Sequence, residues 1–211
     1  MIELDGDLPF LWCLSAESSE GFCAVSMVIP YLEDHDHKNL TIETSVLSLS
    51  SDSSRSTHGE MLEWNDEDVE LFLKMVNYRR LCLNLPIADS LRIDLADPAI
   101  VEIINIVAAA GFGSAYMVPG LLRKKRGKFA SFHCQVGGFA SIDTVRGLKP
   151  CAVVDIDDDD VICVLLEDVE LGYPDGHDYL HRHDLLMVKY KDLLHPGFTC
   201  EQMPDGSHVL H

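Results

Sequence analysis

Residues 65–80, NDEDVELFLKMVNYRR, predict an α-helix from several independent features of the sequence. Asn65 can cap this helix, and the three acidic residues that follow lie where the helix dipole favours negative charge. The apolar residues spaced at i, i+3, i+4 and i+7 share one helical face: Val69, Phe72, Leu73 and Val76. Arg79 and Arg80 complement the carboxyl end, and Pro86 prevents the helix from continuing.

A second helix is predicted over residues 99–110. Asp97 supplies a cap, and Pro98 occupies the first helical position, where its missing N–H is not needed. The segment is apolar on almost all sides and ends at Gly111, which is typical of a helix buried between two layers. Residues 90–95 alternate between apolar and charged side chains and predict a short strand.

The first sixty residues predict three antiparallel strands, over 8–16, 22–32 and 40–49. The first two segments are apolar runs rich in aromatic and β-branched residues, and ESSEG at 17–21 is typical of a hairpin loop. Side chains of the third segment alternate between two faces, with Leu40, Ile42, Thr44, Val46 and Ser48 on one of them. The polar sequence SLSSDSSRSTH at 48–58 indicates an exposed loop.

The final third predicts strands again, over 129–136, 149–156 and 161–169, with a tight turn between the last two. Short strands at this spacing favour a small SH3-like or Tudor-like β-barrel. The expected fold class is therefore α+β: an antiparallel β-rich N-terminal part with two helices, then a barrel-like C-terminal part. We place the domains at 1–122 and 129–211, although one continuous domain is also compatible with the pattern.

The chain of 211 residues carries a formal charge of −19, unevenly distributed. Residues 1–60 hold 11 acids and 2 bases, and residues 151–211 hold 14 acids and 3 bases, whereas residues 101–150 hold 2 acids and 7 bases. A protein with this net negative charge is repelled by nucleic acid phosphates and anionic membranes and attracts basic partners. Because no catalytic signature accompanies this charge, we expect a non-enzymatic binding protein of the nuclease-inhibitor, immunity or phage counter-defence type.

Charge density selects the residues expected to contact the basic partner. They are Glu33, Asp34, Asp36, Asp66, Glu67, Asp68, Asp157, Asp158, Asp159, Asp160, Glu167 and Asp168. The aspartates at 155–160 also raise the possibility of bound Ca²⁺. They do not form an EF-hand loop, because its glycine and glutamate positions hold Asp160 and Leu166.

A rival hypothesis is a metal-dependent hydrolase built on the histidine-rich segment GHDYLHRHD, residues 176–184. Imidazole and carboxylate ligands suit zinc or another divalent metal, and the candidate ligands are His177, His181, His183 and Asp184. Their spacing matches no established catalytic motif, and the pattern favours an exposed polar turn that happens to contain histidines. His35 and His37 have the same character.

One basic run, Arg123, Lys124, Lys125 and Arg126, could bind phosphate, serve as a nuclear import signal or pair with the acidic body. It carries a third hypothesis, a nucleic-acid reader, but no aromatic residues interleave with it. We therefore expect nucleic acid not to be the partner.

Seven cysteines without a CxxC pair lie mostly within apolar runs, which favours reduced, buried thiols and a cytoplasmic location. Cys151 and Cys163 flank the predicted hairpin, and a disulfide between them is compatible with the sequence. A thiol nucleophile at Cys13 served by His177 would follow a papain-like chain order, but Cys13 lies in a strand-like run. The N-terminus has no secretory signal pattern, and the apolar segment 98–117 is interrupted by Glu102 and Asn105.

Overall fold

A computed structural model describes residues 2–4, 10–30, 39–49, 59–84, 91–123, 132–171 and 179–197. The chain divides into two units, Met1–Ser114 and Ala115–His211. No helix within the described segments is long and apolar enough to cross a membrane.

The first unit combines an antiparallel sheet with two helices. Its elements, in chain order, are β1 (Ile2–Leu4), β2 (Leu11–Leu14), β3 (Phe22–Ile29), β4 (Leu40–Leu49), β5 (Glu60–Glu63), α1 (Asp66–Cys82), β6 (Leu91–Ile93) and α2 (Pro98–Phe112). Four of the strands form a sheet in the order β4-β3-β2-β5, and β1 pairs with β6 in a separate antiparallel ribbon. The three predicted N-terminal strands and both helices are confirmed, whereas β5 was not predicted.

Helix α1 begins with a reciprocal cap. The Asn65 side chain accepts a hydrogen bond from the Asp68 amide at 2.8 Å, and the Asp68 carboxylate accepts one from the Asn65 amide at 3.1 Å. The buried face of the helix differs slightly from the predicted one. It consists of Asp68, Leu71, Phe72, Met75 and Val76, while Val69 and Leu73 are only half-buried. Asp68 belongs to the buried face because its side chain makes a tertiary contact.

That contact is a buried hydrogen bond from Trp12 Nε1 to Asp68 Oδ2, 3.0 Å long. An aromatic cluster surrounds it: Trp12 and Trp64 stack at 4.9 Å, and Phe72 lies edge-on to Trp64 at 5.5 Å. Phe112 approaches Trp12 edge-on at 5.6 Å, so both helices reach the same side of the sheet. Burial of these rings supplies much of the hydrophobic stabilisation of the unit.

Helix α2 is buried along most of its length, as its composition predicts. The Asp97 side chain caps it by accepting from the Ala99 amide at 2.9 Å. Asp97 also pairs with Arg79 of α1 at 2.7 Å, and this guanidinium holds the pKa of Asp97 below its ordinary value. In the middle of the helix, Asn105 accepts from the Ser45 amide of β4 at 2.8 Å.

The second unit is mainly a six-stranded sheet. Its elements are β7 (Ala115–Tyr116), β8 (Phe139–Thr144), β9 (Gly147–Asp157), β10 (Asp160–Leu165), β11 (Val169–Glu170), β12 (Tyr179–Leu180), β13 (Leu185–Lys189), a 3-10 helix (Tyr190–Asp192) and β14 (Leu193–Leu194). The sheet order is β14-β8-β9-β10-β13-β7, antiparallel except for the β13–β7 pair. Its core includes Ile142, Val153, Val161, Leu165 and Leu186.

The predicted strands over 149–156 and 161–169 correspond to β9 and β10, but residues 132–136 are not a strand. There the Cys134 amide donates to the Tyr190 hydroxyl at 2.8 Å, and the Cys134 carbonyl accepts from it at 3.0 Å. These backbone groups are thus satisfied by a side chain instead of a neighbouring strand. The strand of this region is β8, which was not predicted.

The mixed α+β class is confirmed by these two units. The described strands close no barrel, since β14 and β7 stand at opposite ends of the sheet order. The SH3-like or Tudor-like barrel and the domain bounds 1–122 and 129–211 stay predictions.

We predict that Asp68→Ala lowers the free energy of unfolding by about 3 kcal/mol, because Trp12 Nε1 and the Asn65 amide lose their shared acceptor in a buried site. Urea unfolding followed by tryptophan fluorescence measures the change. The control is Glu70→Ala on the same helix, which removes only an exposed pair with Lys74 and should change stability by less than about 0.5 kcal/mol. Equal effects of both substitutions would contradict the structural role of Asp68.

A second prediction concerns pH. Burial raises the pKa of Asp68 above its ordinary value of 3.8, so the folded state binds this proton more tightly than the unfolded state. The contribution of Asp68 to stability is therefore fully present below 3.8 and falls as pH rises through the folded pKa. Asp68→Asn lacks this titration and keeps one acceptor oxygen. As pH rises from 3.8 through the folded pKa of Asp68, the free energy of unfolding of Asp68→Asn should therefore increase relative to that of the native protein. Parallel plots of unfolding free energy against pH for the two proteins would contradict the prediction.

Candidate functional site

The most concentrated charge in the described chain is the tip of the β9–β10 hairpin, which we call the acidic tip. It consists of Asp155, Asp157, Asp158, Asp159 and Asp160. Asp157 pairs with Asp160 at the end of the ladder, and Asp158 and Asp159 form the turn. Asp158 adopts a positive φ of 52°, a conformation that aspartate tolerates better than most residues. Four of the five aspartates are exposed, and Asp160 is half-buried.

Strand β13 and the residue after it hold the acidic tip in place. Lys189 Nζ lies 2.7 Å from Asp160 Oδ1, and this carboxylate raises the pKa of Lys189. The Tyr190 amide donates to the Asp159 carbonyl at 2.8 Å. Within the described residues, Asp157, Asp158 and Asp159 have no ion-pair partner. The tip therefore presents carboxylates on a turn that a backbone hydrogen bond and the Lys189–Asp160 ion pair hold in place.

The acidic residues beyond the other end of β10 are placed differently, although their sequence density is similar. Glu167 pairs with Lys149 at 3.3 Å, and Glu170 pairs with Arg146 at 3.4 Å. Asp168 accepts from the Arg182 amide at 2.8 Å and lies 3.8 Å from His181 Nδ1. Cations of the chain thus compensate Glu167 and Glu170, about 20 Å along the strand from the acidic tip.

The acids at the start of α1 divide into two kinds. Asp66 and Glu67 are exposed and lie in the first turn, where they stabilise the helix end. Asp68 is buried and engaged with Trp12 and Asn65, so it presents no surface to a partner. Glu33, Asp34 and Asp36 lie outside the described residues.

The histidine-rich segment forms a tight turn before β13. Asp184 Oδ2 accepts from the His181 amide at 2.7 Å, and His183 adopts a positive φ of 74°. His177 lies outside the described residues, as do His35 and His37. Across the described ranges, no three His, Cys, Asp or Glu side chains converge as metal ligands.

Of the basic run only Arg123 is described; Lys124, Lys125 and Arg126 lie outside. The Arg123 amide donates to the Asp143 carbonyl at 2.9 Å, and its guanidinium lies 3.9 Å from the Asp143 carboxylate. This residue thus connects to β8 of its own unit.

The described cysteines are free, including Cys151 and Cys163, so no disulfide closes the β9–β10 hairpin. Burial raises the pKa of Cys134 to about 11, and the neighbouring Cys151 and burial raise the pKa of Cys163 well above its ordinary value. Cys13 is half-buried in β2. His133 turns towards Tyr190, with Nδ1 3.2 Å from the hydroxyl, so it does not serve the adjacent thiol.

Sequence reasoning missed the residues that position the acidic tip. Lys189 faces Asp160 across the β10–β13 ladder, and Tyr190 follows it, but both are about thirty positions away in the chain. The apolar run at residues 185–188 is typical of a buried strand but does not indicate which strand lies beside it. The pairing that neutralises one aspartate of five is therefore a tertiary feature.

We predict that iodoacetamide at about pH 8 modifies Cys82 readily and leaves Cys134, Cys151 and Cys163 largely unmodified. Cys82 is exposed, whereas a pKa of about 11 leaves only about one thousandth of Cys134 as thiolate. Peptide mapping by mass spectrometry measures the extent at each site. Unfolding in guanidinium chloride should make all four react; rapid reaction of Cys134 in the native protein would show that this core is accessible.

Comparison with known proteins provides no family for this chain. No protein-family model matches it, and no curated protein matches it in sequence. The functional argument therefore depends on the geometry and charge of the described residues.

Proposed function

We propose that this protein is a non-enzymatic binding protein whose acidic tip engages a basic protein partner. The observation that carries the proposal is the pairing pattern around β10. Five aspartates lie at one end, where the described ion pair is that of Asp160 with Lys189, whereas Glu167 and Glu170 beyond the other end are each paired with a cation of the chain. The tip is thus the described acidic group most available to cations from outside.

The physical role of such a tip is to attract and orient a cationic surface. Exposed ion pairs each contribute less than about 1 kcal/mol, so several must act together. Their long-range field accelerates association, and salt weakens both effects. Because the hairpin and Lys189 fix the tip, less side-chain and backbone freedom is lost when it binds.

The net charge of −19 favours a protein partner over nucleic acid, whose phosphates it repels. A nuclease inhibitor, an immunity protein or a phage counter-defence protein would act through this kind of contact. Of the predicted contact residues, Asp157, Asp158 and Asp159 are exposed and have no ion-pair partner within the described part of the chain, so they form the contact set of this proposal. The free thiols support a cytoplasmic location as part of the same proposal.

The test uses a fluorescein-labelled peptide of alternating Arg and Ser, with binding followed by anisotropy at about 50 mM and about 300 mM NaCl. The combined variant Asp157→Asn, Asp158→Asn and Asp159→Asn should weaken binding about tenfold at low salt, since three exposed charges are lost. Asparagine preserves the size of each side chain and tolerates the positive φ at position 158.

The matched control removes three charges elsewhere, through Glu70→Gln, Glu167→Gln and Glu170→Gln. It should change the affinity by less than about twofold, because each of these acids is already paired within the chain. Equal losses in the two variants would show that net charge alone attracts the peptide. Binding that does not respond to salt would equally overturn the proposal.

A further inference from the structure

Strands β11 and β12 form a two-stranded ribbon whose two faces have opposite surroundings. Val169 pairs with Leu180, and both side chains are buried in the core of the second unit. Glu170 pairs with Tyr179, and because side chains alternate along a strand, this pair points away from the core. Tyr179 is 47% exposed, and the side chain of Glu170 is 49% exposed.

Two residues just beyond the ribbon extend its outward face. His181 lies two residues after Tyr179, and Asp168 lies two residues before Glu170. His181 Nδ1 is 3.8 Å from Asp168 Oδ1, and the two side chains are 73% and 67% exposed. We call this surface the ribbon face, and its members are Asp168, Glu170, Tyr179 and His181. It carries two aromatic rings on one strand and two carboxylates on the other.

Backbone hydrogen bonds hold the ribbon face in place. Asp168 Oδ1 accepts from the Arg182 amide at 2.8 Å, and the His181 amide donates to Asp184 Oδ2 at 2.7 Å. The rings of Tyr179 and His181 lie within 15° of parallel, with their centroids 6.4 Å apart. The two rings and the carboxylate of Asp168 are therefore positioned before any partner binds.

The two carboxylates of the ribbon face differ in their partners. Glu170 pairs with the guanidinium of Arg146 at 3.4 Å. The described ion-pair partner of Asp168 is His181, which carries a charge only when it is protonated. Within the described part of the chain, no lysine or arginine side chain pairs with Asp168. This carboxylate is thus available to a cation from outside, next to two exposed aromatic rings.

An arginine side chain matches this arrangement in shape as well as in charge. The guanidinium is planar and stacks on aromatic faces, whereas the ammonium of lysine is compact and strongly hydrated. Tyr179 and Asp168 are diagonal neighbours across the ribbon, a separation of about 7–8 Å that aromatic and long side chains span. A guanidinium stacked on the Tyr179 ring can therefore donate to Asp168. Nucleic acid bases also stack on such rings, but the carboxylates repel their phosphates.

We propose that the ribbon face binds an arginine side chain of the basic partner, with the guanidinium stacked against the aromatic rings and hydrogen-bonded to Asp168. The inference rests on the proposed function for the basic partner and adds which basic side chain is recognised. It uses none of the residues of the acidic tip. The tip attracts lysine and arginine alike, whereas the ribbon face distinguishes between them.

The first experiment compares two fluorescein-labelled peptides of equal length and charge, one alternating Arg and Ser and the other alternating Lys and Ser. In anisotropy titrations, the native protein should bind the Arg peptide about threefold more tightly. Tyr179→Leu should weaken binding of the Arg peptide about threefold and leave the Lys peptide unchanged, whereas Tyr179→Phe retains the ring and should retain the preference. The control, Tyr116→Leu, removes a tyrosine of the same unit that is 50% exposed and should change neither affinity.

The same peptides separate this inference from the acidic tip. The combined variant Asp157→Asn, Asp158→Asn and Asp159→Asn should weaken both peptides equally, because it changes charge alone. If it does so while Tyr179→Leu leaves the preference for arginine intact, the proposed function stands and the ribbon-face inference fails. If Tyr179→Leu removes the preference while the tip variant binds both peptides as tightly as the native protein, the acidic tip fails and the ribbon face stands.

A second experiment uses the unmodified protein, so it does not depend on how a variant folds. In proton NMR spectra, saturating Arg peptide should shift the ring resonances of Tyr179 and His181, because a guanidinium lies against both rings. The ring resonances of Tyr116 should not move, and the Lys peptide should shift those of Tyr179 and His181 less than the Arg peptide does. Unchanged resonances of Tyr179 and His181 at saturating Arg peptide would overturn the inference, as would equal shifts with the two peptides.

Discussion

The Asp68 carboxylate accepts hydrogen bonds from Trp12 Nε1 and from the Asn65 amide, which fixes the start of α1 against the sheet. Helix α2 meets the same group, since a side-chain carbon at Gly111 would lie 3.3 Å from Asp68 Oδ1. Removing a carboxylate from water is unfavourable, and the two hydrogen bonds offset this among aromatic rings. One acidic residue therefore contacts the sheet and both helices at the point where they pack together.

Acidic residues that look equivalent in the sequence have different roles in the folded chain. Asp68 is structural, Glu167 and Glu170 are compensated by Lys149 and Arg146, and the acidic tip retains most of its charge. Charge density along a chain does not distinguish these cases, because long-range pairing determines what each carboxylate contacts. The proposed partner surfaces follow from these differences in pairing and exposure.

The two units show how far local sequence signals reach. Both helices were predictable because their caps, dipole-complementing charges and stop signals are all close in sequence. The β9–β10 hairpin was predictable for the same reason. Residues 132–136 were wrongly predicted as a strand, because their backbone is satisfied by Tyr190, more than fifty positions away. The sequences of β5 and β8 show little strand-like alternation. These segments are strands because they pair with β2 and β9.

The sequence by itself determined the α+β class, the two helices, the strongly acidic character and the buried thiols, since composition and short-range periodicity encode them. Only the tertiary structure decided which acids are buried or paired, which segments join each sheet, and which apolar side chains, such as Leu47 and Met61, remain exposed. Those features depend on contacts between residues far apart in the chain, and a side chain's neighbours across a sheet are set by register, which no single segment specifies.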